Sequence, residues 1–247
     1  MTAPAPLDPL ARLRALTQAR VGLGRCGAAL PTRHMLDFQL AHARARDAVH
    51  LPLDADALGE ALAPREPLLV KSRAADRAEY LRRPDLGRRL DPRDAELCRA
   101  GAYDLAIVVA DGLSAIAVHR HAPPLLTAIY ARLDGWSLAP IVLARFGRVA
   151  LGDEVGERFG ATMVVVIVGE RPGLSAFDSL GLYLTWAPRV GCNDSQRNCI
   201  SNVRQGGLSY QDAAGRLVWL MNRARRLRMT GVGLKDEYDP QAALPHI

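Results

Sequence analysis

Glu170 and Arg171 stand between Gly169 and Pro172-Gly173, directly after the six apolar residues 163–168 (Met-Val-Val-Val-Ile-Val). A carboxylate accepts N–H and O–H donors, and a guanidinium forks onto oxyanions. An apolar run this short, rich in β-branched residues and ending on turn residues, reads as a strand buried on both faces, the habit of parallel sheets. In open α/β sheets, ligands collect beyond the carboxyl ends of such strands, so this charged pair sits where a ligand would be handled. Three other segments have comparable makeup: Asp111-Gly112-Leu113-Ser114, Gly147-Arg148-Val149-Ala150 and Arg197-Asn198-Cys199-Ile200-Ser201-Asn202. If the sheet is parallel, all four turns open on one edge. Each has a plainer alternative: Asp111 and Ser114 as helix caps, Gly147 as a turn residue, Cys199 as a small buried hydrophobe.

Gly22-Leu23-Gly24-Arg25-Cys26-Gly27 matches the G-x-G-x-x-G pattern of dinucleotide sites. That motif works only when a buried strand feeds the glycine turn and a helix follows at once. Residues 11–20 instead carry arginines at helical spacing, and the next helix starts after Pro31, so the glycines read as a structural loop. This argues against the competing reading of a stand-alone Rossmann-like oxidoreductase. The cysteines, Cys26, Cys98, Cys192 and Cys199, form no C-x-x-C pair and no zinc-finger spacing with histidine. The sequence offers no H-E-x-x-H helix and no nucleophile–base motif, so no catalytic and no metal-ligating residue is assigned.

The elements that must position these turns fall into two parts. Leu10, Leu13 and Leu16 recur at helical spacing behind a cap at Asp8-Pro9, after a loose tail over 1–8. Arg33 to Val49 is a second helix, and from Pro52 to Leu97 short helical pieces alternate with loops around Pro64, Pro67, Pro84 and Pro92. Leu68-Leu69-Val70 is the one strand-like piece there, so residues 1–100 read as a mostly helical N-terminal region. Residues 101–234 read as a Rossmann-like, mostly parallel α/β sheet with flanking helices, and 235–247 as a tail. Its strands are placed at Leu105–Ala110, Ile141–Ala144, Met163–Val168 and Leu182–Trp186. Its helices are placed at Ser114–Leu133, which Pro123-Pro124 should split, Gly152–Phe159 and Tyr210–Leu227.

The 247 residues are 49% apolar, enough for a substantial core. The net charge is +6, and only Lys71 and Lys235 are lysine among 32 basic side chains. Arginines alternate with acids over 73–99 rather than forming a block, and aromatics are only 5%, which argues against nucleic-acid binding. Apolar runs fall short of the roughly 20 residues that span a bilayer. The start has no signal-peptide pattern, so a soluble protein of a reducing compartment is expected.

Taken together, several segments resemble the small (light) subunit of ethanolamine ammonia-lyase. They are Arg20–Arg25, Leu30–His34, Asp37–His50, Val109–Ser114, Val168–Gly173 and Asn198–Asn202, in that family's order. Residues 1–19, 55–100 and the tail from Lys235 carry little of the resemblance. It implies a lyase that uses adenosylcobalamin to convert ethanolamine to acetaldehyde and ammonia, its large subunit a barrel holding the substrate. It implies cobalamin-binding positions at Val149, Glu170 and Cys199, with Glu170 accepting N–H or hydroxyl groups and the other two offering backbone groups and close packing. The small subunit's role is then indirect: to position the cofactor and shield its radicals. It also implies a hetero-oligomer of six large and six small subunits, cytoplasmic and compatible with a bacterial microcompartment. None of the six histidines follows an aspartate by two positions. The chain therefore offers cobalt no imidazole through a D-x-H-x-x-G loop, and the resemblance implies that the cofactor keeps its own dimethylbenzimidazole on the metal.

Overall fold

The structure, a computed structural model, describes residues 10–17 and 19–240. The expected cap at Asp8-Pro9 and the 1–8 tail lie outside them. The chain opens with α1 (Ala11–Leu16), α2 (Thr32–His50) and α3 (Ala55–Ala61). Then come β1 (Leu68–Lys71), α4 (Arg77–Arg82) and α5 (Pro92–Ala95). The sheet region holds β2 (Leu105–Ala110), α6 (Ala115–Tyr130), β3 (Val142–Arg145), α7 (Leu151–Phe159) and β4 (Met163–Gly169). It finishes with β5 (Leu180–Trp186), β6 (Arg197–Val203) and α8 (Tyr210–Leu227).

All six strands form one sheet in the order β1-β3-β2-β4-β5-β6. The first four neighbours run parallel, and β5 and β6 add two antiparallel pairings. The α/β class with flanking helices is as expected, and the sheet is mixed. β2 and β4 are buried at every residue, the pattern of strands covered on both faces. Side-chain alternation splits the core. Leu105, Ile107, Val109, Val165 and Ile167 pack with residues of α6 and α8, while Ala106, Val108, Ala110, Val164 and Val166 pack with Leu151, Val155 and Phe159 of α7.

Three expectations are corrected. Pro123 and Pro124 do not split α6, which runs unbroken from Ala115 to Tyr130. An internal proline costs about 3 kcal/mol. Val118, Leu125, Leu126 and Ile129 are all at most 1% exposed, and each contributes about 1.5–3 kcal/mol by burial, so packing wins. Arg197–Asn202, read as a turn, lies within β6, whose half-solvated edge position suits its polar residues. The four turns do not all open on one edge: within the mostly parallel sheet β5 reverses, so the turn after it opens on the opposite edge. Only because β6 reverses again do Ser201 and Asn202 return to the carboxyl edge of β4. β1, from the stretch read as mostly helical, pairs in register with β3 at the sheet's outer edge.

The Gly22–Gly27 segment is a loop, with Gly22, Gly24 and Gly27 all at positive φ and α1 rather than a strand before it. No helix of the described residues is long and apolar enough to cross a membrane.

Candidate functional site

The turn after β2 is built for close backbone contact. Gly112 has φ 55°, and a Cβ there would fall 2.3 Å from the Gly169 carbonyl oxygen. Only glycine lets this turn lie against the end of β4, where Leu113 N donates to Gly169 O at 2.9 Å. Ser114 does cap α6, its hydroxyl accepting from Ala117 N at 3.3 Å, and it donates to Phe177 O at 3.0 Å. Asp111 is not a cap. It is 2% exposed, accepts from Gly147 N at 3.1 Å and meets Arg77 Nη1 at 3.4 Å. Burial pushes its carboxyl up to about 6, with Arg77 and backbone donors pulling the other way. Asp111 thus fastens the β2 turn to the β3 turn.

Arg77 extends this clasp, donating to Val49 O at 2.7 Å and Gly112 O at 2.8 Å. Tyr80 lies beneath it, fully buried, with the Arg77 and Arg148 guanidiniums 4.9 and 4.6 Å from its ring centroid. Burial raises its phenol to about 12, and its hydroxyl donates to Gly147 O at 3.2 Å. Arg148 Nη2 returns to Tyr80 O at 3.1 Å. The turn that carries Val149 is therefore pinned from both sides.

Glu170 closes the other flank. It accepts from Ser179 Oγ and Ser201 Oγ, both at 2.6 Å, and from Asn202 N at 3.2 Å. One carboxylate so joins the end of β4, the approach to β5 and the end of β6. Asn202 holds φ 60°, a left-handed conformation that asparagine tolerates.

A cavity of about 500 Å³ opens on this edge, lined by Tyr80, Gly112, Arg148, Val149, Glu170 and Tyr183 among others. Val149 and Glu170 share this cavity. Cys199 does not line it and sits in no turn: it is an exposed residue in the middle of β6, paired with Tyr183. Its link to the cavity is its cross-strand neighbour Tyr183, which lines it. Burial raises the pKa of both groups, so Cys199 stays a thiol at neutral pH rather than a thiolate nucleophile. Arg171 is exposed at the rim. Sequence reasoning missed Arg77, Tyr80 and Tyr183, and took Ser201 only as part of the Arg197–Asn202 segment; the spacing of Arg77 and Tyr80 on one helical turn was the only local signal for the first two.

No group of three or more metal-ligating side chains occurs among the described residues. Buried His121 bonds the Tyr210 hydroxyl at 2.8 Å and lies 3.4 Å from Asp178, and burial lowers its pKa, which suits a neutral packing histidine.

Fold and edge define an α/β sheet protein with a ligand-sized cavity where strand order turns, held open by a carboxylate staple and an arginine–aspartate clasp. Residues 7–235 match the profile of the ethanolamine ammonia-lyase light chain (EutC) family. The chain is 57% identical over 243 residues to the ethanolamine ammonia-lyase small subunit of Pseudomonas syringae pv. tomato, covering 94% of this chain and 85% of that one. It is 59% identical over 244 residues to that of Azotobacter vinelandii, covering 95% and 90%. The chain belongs to the ethanolamine ammonia-lyase light-chain family, and a small subunit implies a large-subunit partner.

Proposed function

We propose that this chain covers adenosylcobalamin at the interface with the large subunit of an ethanolamine ammonia-lyase, with Val149, Glu170 and Cys199 toward the cofactor. The observation that carries this reading is the shared cavity of Val149 and Glu170 at the sheet's carboxyl edge. The donor set suits an amide-rich ligand. A carboxylate has about four acceptor positions, and Glu170 uses three for the chain's own donors. Arg148, which lines the cavity, has its Nε buried with no hydrogen-bond partner among the described residues. Together these offer one acceptor and one donor to carboxamides, beside the apolar Val149 and the ring of Tyr183.

When bound, adenosylcobalamin would supply the radical chemistry for the conversion of ethanolamine to acetaldehyde and ammonia. This chain's residues bind and orient. Glu170 would accept an amide N–H or a hydroxyl, Val149 would pack against the macrocycle, and Tyr183 would form part of the wall on the β6 side, with the large subunit completing it. No proton transfer is assigned to them. α2 buries only Ala48 while Met35, Leu36, Phe38 and Leu40 are exposed, which supports contact with a larger partner in an assembly of six large and six small subunits.

The test is reconstitution. Ethanolamine deamination should require the large subunit, this chain and adenosylcobalamin together. Turnover by this chain alone, or full turnover by the large subunit without it, overturns the reading.

A further inference from the structure

A second cavity, of about 520 Å³, adjoins the first and shares Arg148 and Val149 with it. Its lining is basic. Arg88 and Arg148 have no carboxylate partner among the described residues, while Arg89 is held by Glu154 at 2.8 Å. Arg197 is 2% exposed on its side chain and bidentate to Asp153, yet its Nε makes no hydrogen bond, the exposed Asp194 carboxylate standing 3.6 Å away. The cavity also lies at the start of α7, with Val149 and Ala150 in its wall. The backbone N–H groups of those two residues donate to nothing among the described residues. Two guanidiniums without a carboxylate partner, a buried Nε with no hydrogen bond and free N–H groups at a helix start are the chemistry of an oxyanion site.

We propose that this cavity is a phosphate subsite that takes the phosphodiester of the cofactor's nucleotide tail, while the Glu170 cavity takes the neutral amides of the macrocycle. The proposal rests on the cofactor reading above. The shared Arg148–Val149 wall makes it specific: one ligand with a neutral, amide-bearing body and a single anionic tail fills both cavities at once. Arg88 at the mouth meets the anion first, and Arg148 holds it beside the helix start.

Adenosylcobinamide and adenosylcobinamide phosphate differ only in the phosphate, so their dissociation constants in the assembled complex isolate its contribution. Equilibrium dialysis read by corrinoid absorbance should show the phosphate form bound about tenfold or more tightly by the native complex. Arg148→Ala and Arg88→Ala should each shrink that ratio, and Arg148→Lys should retain part of it. Arg88 is exposed, so its variant decides the matter if Arg148→Ala, which removes a brace on Tyr80, fails to assemble. A ratio near one in the native complex, or equal weakening of both analogues in Arg88→Ala, overturns the subsite and leaves the cofactor reading standing. Failure of native complex to bind adenosylcobalamin at all overturns both. Arg88-dependent binding of inorganic phosphate to the isolated chain, with no discrimination between the analogues, would assign the anion to a free phosphate and refute its origin in the cofactor.

Discussion

Glu170→Gln separates the role the geometry shows from the one proposed. In the first Glu170 is a staple within the chain; in the second it presents a carboxylate acceptor to the cofactor. Ser179 Oγ and Asn202 N meet one carboxylate oxygen and Ser201 Oγ the other. A glutamine whose carbonyl takes the first position keeps two of these bonds, and its amide can donate to Ser201, whose hydroxyl rotates to accept. All three contacts survive as neutral bonds of about 0.5–1.5 kcal/mol each in place of charge-assisted ones of about 1.5–3 kcal/mol. Ser201 and Asn202 are exposed, so water offsets much of the difference. We expect Glu170→Gln to lower the stability of the chain by only about 1 kcal/mol. Glu170→Ala deletes the staple and should cost about 2–3 kcal/mol.

Cofactor affinity should order the variants differently. Both lose the charged acceptor, so both should weaken adenosylcobalamin binding by about one to two orders of magnitude. Urea unfolding of the isolated chain gives the first quantity, and equilibrium dialysis of the assembled complex gives the second. If Glu170 is only a staple, the loss of affinity will follow the loss of stability, and Glu170→Gln will bind nearly as well as the native chain. An unchanged dissociation constant in Glu170→Gln refutes direct contact.

Three further outcomes follow from the geometry. Asp111 titrates near 6 in the fold against an ordinary 3.8, so the native state holds its proton more tightly and this group's contribution to stability falls as pH rises between those values. In full that is about 3 kcal/mol, and the difference in unfolding free energy between native chain and Asp111→Asn should change by that order from pH 4 to pH 7; a difference constant with pH refutes it. Gly112→Ala should destabilise by about 2–4 kcal/mol because a left-handed conformation and a clash with Gly169 O act together, whereas Gly24→Ala, left-handed but in open space, should cost only about 1–2 kcal/mol by urea titration. Arg197→Ala strands the carboxylate of Asp153, itself 1% exposed, and should cost about 3–5 kcal/mol, with Asp153→Leu/Arg197→Met recovering much of the loss in thermal unfolding.

The strands most legible in the sequence were those whose environment is uniform. β2 and β4 are apolar throughout because helices cover both faces, so no register had to be guessed. α8 was read to the residue, since its buried Ala213, Leu217, Leu220, Met221 and Ala224 keep helical period. β6 was not legible: its buried Arg197, Ile200 and Val203 fall at every third position among polar neighbours, without the period-2 alternation of a strand, and look like a turn until β5 lies beside them. The tandem proline misled for the opposite reason, because a local penalty is visible in the sequence and the packing that offsets it is not. At the site, Val149 and Glu170 could be placed because each follows a strand. Cys199 was placed in a turn only because its strand went unseen, and the Arg77–Asp111 clasp joins residues too far apart in the chain for any spacing to reveal.

The reversal at β5 decides what the edge can hold. A parallel strand after β4 would need a crossover, normally a helix passing over one face. Residues 170–179 instead form a connection without a crossover helix, and the antiparallel pairing sets Leu180 opposite Gly169. Ser179 therefore arrives directly beside Glu170, and β6, running back along β5, delivers Ser201 and Asn202 to the same carboxylate. The cost is an open flank. The edge strand β6 turns Cys199 outward, and among the described residues the cavity between the β3 turn and Glu170 is walled on this side by Tyr183 and Ser201. Under the proposed function this flank must be closed against water, and the large subunit is the chain that would close it. On that reading the topology fits a covering subunit better than a self-contained catalyst.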